Sequence, residues 1–188
     1  MIKRIIIAIT GASGAIYGVR ALEILRTMEV ETHLIISPTA KLTIAQETSY
    51  RLSDIETLAN TVYDPQDLAA PVASGSFTTG GMIIAPCSIK TLSAIANSYT
   101  ADLIARSADV CLKEGRPLVL MVRETPLHRG HLSLMSKASE MGAILFPPVP
   151  AFYNHPQTID DLINSSVGRA LARLGIENNA YPRWKDSN

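Results

Sequence analysis

What this sequence lacks first is charge of one sign: 17 basic and 17 acidic side chains cancel, and no Lys/Arg run occurs. Nucleic-acid binding draws much of its affinity from neutralised phosphates, so that class of partner is not expected. Charge of either sign is scarce too, at 18% of the 188 residues against roughly 25% in an average domain. With 47% hydrophobic residues the chain is too apolar for disorder, and the shortage of charge points to surface covered by further copies. Two cysteines, Cys87 and Cys111, are too few for a disulfide scaffold. Apolar runs such as Ile5–Ile9 and Leu118–Val122 fall far short of the roughly 18 residues of a membrane span. The run after Met1-Ile2-Lys3-Arg4 is also too short for a secretory core segment. A cytoplasmic protein is expected, with no membrane span and one domain over residues 1–188.

What is present is a rhythm. Five short apolar runs, Arg4–Ile9, His33–Ile36, Gly81–Ala85, Leu118–Val122 and Ala143–Phe146, are each followed by a turn signal and a helical pattern. Nearly continuous Ile, Val and Leu marks strands covered on both faces. Ile16, Val19, Leu22 and Leu25 form one helical stripe, with Arg20, Glu23 and Arg26 opposite. Further helices are expected near 39–48, 88–97, 101–114, 131–141 and 158–174, and the segment 64–80 reads as a long functional loop. The alternation predicts a doubly wound α/β fold with a mainly parallel central sheet. Ligands of such sheets bind outside the carboxyl ends of the strands, so the residues delivered there matter most.

The first strand delivers Thr10-Gly11-Ala12-Ser13-Gly14-Ala15, a tight turn whose free N–H groups suit an anion or a polar ring edge. It is not the dinucleotide fingerprint: Ser13 and Ile16 stand where glycines belong, and the second strand ends in Ser37 rather than an acid. The third strand delivers Cys87-Ser88-Ile89-Lys90-Thr91. Ser88 reads as an N-cap, and two hydroxyls with a lysine suit a phosphate or flavin. Cys87 is either a small buried residue or a thiol activated by the following helix. The fourth strand ends in Arg123-Glu124, a guanidinium and a carboxylate that either bind phosphate beside an acid–base group or neutralise each other. Asp102/Arg106 and Asp109/Lys113 read as i,i+4 pairs, with Arg106 and Lys113 on one face about 10 Å apart along the axis. Glu47 is a polar-face residue by pattern. His128 and His131 lack a third ligand at any recognised spacing, so no metal is expected. Pro147–Pro150 with Phe152-Tyr153 is a rigid extended stretch of the kind that reaches a neighbouring copy.

Taken in order, these motifs resemble the UbiX-type flavin prenyltransferases over nearly the whole chain. The resemblance runs through Thr10–Ala15, Ser74-Gly75-Ser76, Pro86-Cys87-Ser88, Ala108-Asp109-Val110, Leu112-Lys113-Glu114, Arg123-Glu124, Pro150–Tyr153 and Arg183-Trp184. It implies a Rossmann-like, three-layer flavoprotein fold. It also implies a metal-independent transferase that joins a dimethylallyl group from dimethylallyl phosphate to reduced FMN, making prenylated FMN for UbiD-type decarboxylases of ubiquinone biosynthesis or aromatic acid breakdown. Carried over by motif, Gly11, Ala12, Ser13, Ser37, Ser88, Ile89, Lys90, Thr91 and Arg123 would hold FMN. Arg106, Lys113, Arg123 and Glu124, with Ser74, Gly75, Tyr153 and Arg169, would hold the dimethylallyl phosphate, some of them from an adjacent subunit. Ser13, Glu47, Lys113 and Glu124 would serve catalysis, and the family forms dodecamers. In one departure from the family pattern, Pro38 follows Ser37 and offers no N–H. A flavin-dependent aromatic acid decarboxylase and a non-catalytic FMN carrier stand as alternatives.

Overall fold

A computed structural model describes residues 4–183. All five expected strands form, as β1 (Arg4–Ile9), β2 (Glu31–Ile36), β4 (Met82–Cys87), β5 (Leu118–Val122) and β6 (Ile144–Leu145). A sixth, β3 (Thr61–Tyr63), pairs with β2 at the edge. Its three residues are half-exposed and carry no apolar run, which is why no strand was expected there. The sheet order is β3-β2-β1-β4-β5-β6, and every pairing is parallel. β1 therefore sits centrally, and the chain changes direction across the sheet between β1 and β4.

Alternate residues of β1 serve two cores. Ile5, Ile7 and Ile9 face α1 (Ala15–Thr27) and α7 (Ile159–Ala172), meeting Val19, Leu22, Val167 and Leu171. Ile6 and Ala8 face α4 (Ile89–Ala96) and α5 (Leu103–Lys113), meeting Leu92, Ile104 and Ala108. The expected three-layer α/β arrangement follows, with α2 (Pro38–Glu47), α3 (Leu52–Glu56) and α6 (Arg129–Glu140) completing it. Among these, α3 is too short to leave a periodic signal.

Two expectations are corrected. Arg20 does not lie on a solvent face: its guanidinium is mostly buried, binding Glu23 at 2.8 Å and Asp160 at 2.7 Å, and so ties α1 to α7. The two i,i+4 pairs of α5 do not form either. Asp102 leaves the helix face as N-cap, with extended backbone and its carboxylate accepting from Ala105 N–H at 2.9 Å. Arg106 turns to Asp109 at 3.5 Å, and Lys113 to Glu114 at 3.3 Å.

Candidate functional site

Three helices begin at neighbouring strand ends, two with a serine cap and one with a glycine. Thr10, buried at the end of β1, joins that end to β4. Its hydroxyl donates to Pro86 C=O at 2.7 Å and accepts from Ser88 N–H at 2.8 Å. Ser88 in turn caps α4, accepting from Thr91 N–H at 3.3 Å and lying 3.1 Å from the Thr91 hydroxyl. Ser37 caps α2 through Ala40 N–H at 3.1 Å, with Pro38 at the first helical position, where a missing N–H costs nothing. Gly14 stands at the start of α1 with φ 99°, a left-handed conformation that favours glycine.

Between these starts lies a cleft of about 280 Å³, lined by Thr10, Gly11, Ser37, Ser88, Lys90 and Thr91 among others. Its floor is tight: a Cβ added to Gly11 would fall 2.4 Å from the Thr39 side chain. Glycine at 11 therefore keeps open a cradle that any larger residue would fill. The N-termini of α2 and α4, several hydroxyls and the Lys90 ammonium converge there, a donor set matched to a phosphate and the polar edge of a flavin. Sequence motifs had singled out Gly11, Ser37, Ser88, Lys90 and Thr91, and the fold gathers all five. Pro65 and Gln66, which carry no sequence signal, also line the cleft, as does Asp102, which the sequence pattern assigned to an ion pair with Arg106.

Glu47, at the far end of α2, is more than a polar-face residue. Its carboxylate accepts from Gly14 N–H at 2.7 Å and so anchors the turn that holds Ala12 and Ser13. Nothing local announces a contact across 33 residues of chain. Arg123 follows β5, with its N–H donating to Cys87 C=O at 3.1 Å and its side chain exposed. Its charge acts on Tyr17, whose phenol burial pushes up and the guanidinium partly draws back down. Tyr17 also packs against Gly14, so Arg123 lies on the same side as the α1 start. Glu124 turns to Thr125 N–H at 3.0 Å rather than to Arg123, so the mutual neutralisation weighed from sequence does not occur.

A second group sits at the other end of the sheet. Lys113 is in the last turn of α5, just before β5 begins, whereas Arg123 follows the carboxyl end of β5. The five residues of β5 put the two ends of the strand roughly 16 Å apart. Gly75 packs on Lys113 and Glu114, and Arg106 Nε donates to Ala73 C=O at 3.1 Å, so Arg106, Lys113, Ser74 and Gly75 cluster together. Arg169, on α7, stands beside the end of β6, and Tyr153 lies half-exposed in the segment that follows β6. Arg169 lies over the Phe146 ring, at 5.9 Å from its centroid, and lines a pocket of about 230 Å³. Within one chain Lys113 and Arg123 thus lie at opposite ends of β5, while Phe146 follows β6 at the same edge as Arg123.

Other candidates resolve plainly. Burial pushes the Cys87 thiol up to about 12, which removes it as a nucleophile. His128 caps α6, accepting from Gly130 N–H at 3.0 Å, and stacks on His131. Among the described residues no three His, Cys, Asp or Glu side chains gather as a metal would require, and no helix is long and apolar enough to cross a membrane. Trp184, part of the Arg183-Trp184 motif, lies outside the described residues.

Comparison with known proteins completes the picture. The flavoprotein family matches residues 1–170. A flavin prenyltransferase UbiX of Thauera aromatica is 57% identical over 96% of this chain and 93% of its own length. The enzyme of the same description from Escherichia coli K12 is 54% identical over 97% of this chain and 98% of its own. Among solved structures, AnUbiX (PadA1) in complex with FMN and dimethylallyl pyrophosphate superposes with a TM-score of 0.97 at 48% identity, covering all of both chains. A dodecameric FMN-dependent UbiX-like decarboxylase from Escherichia coli O157:H7 gives 0.94 at 49%, covering 97% of this chain and 99% of that one.

Proposed function

Because this chain belongs to the flavoprotein family, among its UbiX-type flavin prenyltransferases, we propose that it transfers a dimethylallyl group from dimethylallyl phosphate to reduced FMN. The observation that carries this reading is the cleft at the β1, β2 and β4 ends, with an exposed, unneutralised Arg123 after β5 at the same edge of the sheet. Reduced FMN, when bound, supplies a nucleophilic ring nitrogen and a neighbouring ring carbon for the two bonds that close the extra ring. The chain's own residues do the rest.

Gly11, Ala12 and Ser13 would hold the flavin ring. Ser37, Ser88, Ile89, Lys90 and Thr91 would supply hydroxyl, N–H and ammonium donors to the rest of the cofactor. Glu47 holds the α1 turn and, with Ser13, stands where a ring proton must be moved. Arg123 serves both molecules, because phosphate leaves as an anion and fixed positive charge at that point lowers the barrier. Arg106, Lys113, Glu124, Ser74, Gly75, Tyr153 and Arg169 surround the departing phosphate. Since Lys113 and Arg123 are at opposite ends of β5, they meet only between copies, and a homo-oligomer of the dodecameric kind supplies that meeting. The product passes to a UbiD-type decarboxylase in the cytoplasm, and one flavoprotein domain spans residues 1–188. A decarboxylase acting alone would have no use for the phosphate-binding cations, and a carrier would need neither Glu47 nor Lys113.

Anaerobic incubation with reduced FMN and dimethylallyl phosphate tests the reading by mass spectrometry of the extracted flavin. A gain of one dimethylallyl unit is expected, lost in Glu47→Gln and Lys113→Ala while FMN stays bound. Unchanged flavin mass from the wild type would refute it.

A further inference from the structure

Arg116 has no place in the machinery described so far, yet its side chain makes two backbone contacts with the segment that presents Ser74 and Gly75. Its own backbone is locked first. Gly115, with φ 64°, follows α5, Gly115 N–H donates to Leu112 C=O at 3.1 Å, and Arg116 N–H donates to Cys111 C=O at 2.8 Å. This paired closure of a helix end leaves Arg116 in one fixed position. From there the two arms of its guanidinium donate to Phe77 C=O at 2.8 Å and to Gly75 C=O. Arg106 takes Ala73 C=O from the same helix, so carbonyls 73, 75 and 77 are all turned towards cations of α5 and its closing turn.

That orientation dictates what the opposite side of the segment offers. A peptide unit is planar and trans, so its N–H points away from its C=O. With Gly75 C=O held by Arg116, Ser76 N–H is directed away from the guanidinium, towards the Ser74 hydroxyl at 3.4 Å. The Ser74 and Ser76 hydroxyls lie 2.9 Å apart on that exposed side. Drawing the carbonyl onto a cation also polarises the unit and strengthens its N–H as a donor. The segment has little room to take another shape, because a Cβ on Gly75 would fall 2.2 Å from the Glu114 carboxylate.

We propose that Arg116 is a positioning residue that orients the Ser74–Ser76 donors towards the leaving phosphate of the prenyl donor. The proposal rests on the prenyl-transfer reading and adds to it a residue that touches neither substrate. Ser76 N–H and the Ser76 hydroxyl become phosphate contacts alongside Ser74 and Gly75.

Arg116→Lys is the decisive variant, since an ammonium keeps the charge but cannot fork to two carbonyls. Steady-state transfer should show KM for dimethylallyl phosphate raised on the order of tenfold, the equivalent of one hydrogen bond. The inhibition constant of inorganic phosphate should rise in parallel, with kcat and FMN affinity within about twofold of wild type. Arg116→Ala should show a larger rise, and if it fails to fold the lysine variant decides. Unchanged KM and phosphate inhibition overturn the proposal, as does a loss of FMN affinity in proportion, which would mark Arg116 as merely structural. Should the wild type transfer nothing, the prenyl reading falls on its own. Calorimetric titration of inorganic phosphate into wild type and Arg116→Lys then decides the role of Arg116 separately.

Discussion

The separation of Arg123 from Lys113 makes a sharp demand on any mechanism that uses both. About 16 Å of strand divides the two ends of β5, and a leaving phosphate is contacted by cations within hydrogen-bond reach, near 3 Å. On the prenyl-transfer reading, in which both cations act on one phosphate, each productive site takes Arg123 from one copy and Lys113 from another. The perturbation is a pair of variants, Arg123→Ala and Lys113→Ala, purified separately and co-expressed from differently tagged genes. Alone, each should lose transfer by about 10²-fold or more, the usual cost of deleting a cation or donor aimed at developing charge. In mixed oligomers with random assembly, about one quarter of the sites receive both wild-type residues, because each is contributed by a different chain in a closed, symmetric assembly. Transfer at roughly a quarter of the wild-type rate is thus expected from the co-purified mixture, read as prenylated flavin formed per minute. A mixture no more active than the separate variants would show that both residues act from one chain or that one of them does not act at all.

Thr10→Val should remove the joint between β1 and β4: it leaves Ser88 N–H without its acceptor, at a cost of about 1–3 kcal/mol, and lowers Tm by several degrees at fixed protein concentration. Thr10→Ser keeps the hydroxyl and should restore both Tm and FMN retention; equal Tm for the valine variant and wild type would count against the joint. Stability should also fall as pH drops below about 6.5. His33 is buried between Tyr63 at 2.9 Å and Glu31 at 3.0 Å, and burial holds its imidazole below the ordinary value, so the unfolded chain takes up the proton first. Glu31, held ionised by the Arg4 guanidinium and secondarily by His33, adds a further loss only below its ordinary 4.5. Urea midpoints at pH 7.5, 6.5 and 5.5 should fall in wild type and flatten in His33→Asn, and an unaltered slope in the variant would remove His33 from the account.

The strands and most helices were legible because buried parallel strands leave unbroken apolar runs, and β1, β4 and β5 are such runs. The half-exposed β3 and the one-turn α3 were not, since neither buries enough side chains to impose a period on the sequence. β2 begins two residues before the apolar run for a related reason: Glu31 and Thr32 are polar residues satisfied by Arg4 and Asn60, and a hydropathy pattern cannot see such satisfaction. At the site, local chemistry was readable. Ser37 and Ser88 precede helices and cap them, as hydroxyl residues in that place do. Contacts closed by the fold were unreadable. Glu47 reaching Gly14, Thr39 pressing on Gly11 and Arg116 reaching Gly75 and Phe77 each join residues 28 or more positions apart, with no shared periodicity.

A chain with no net charge can hold two anionic molecules because its pairs form in particular places. Arg4 with Glu31, Arg20 with Glu23 and Asp160, and Arg51 with Asp54 are ion pairs formed away from the cleft that opens at the β1, β2 and β4 ends. At the carboxyl edge the balance differs. Glu124 spends its carboxylate on Thr125 N–H and leaves Arg123 beside it exposed, while Lys90 lines the cleft. Three helix N-termini add partial positive charge to that edge, and Glu47, the acid bonded to the α1 turn, takes up a single backbone N–H. The local field is therefore set by which carboxylates the fold turns inward or aside. Composition averages over that arrangement, so a neutral total is compatible with a cationic edge, and the absence of Lys/Arg runs argues against long polyanions without arguing against a single phosphate.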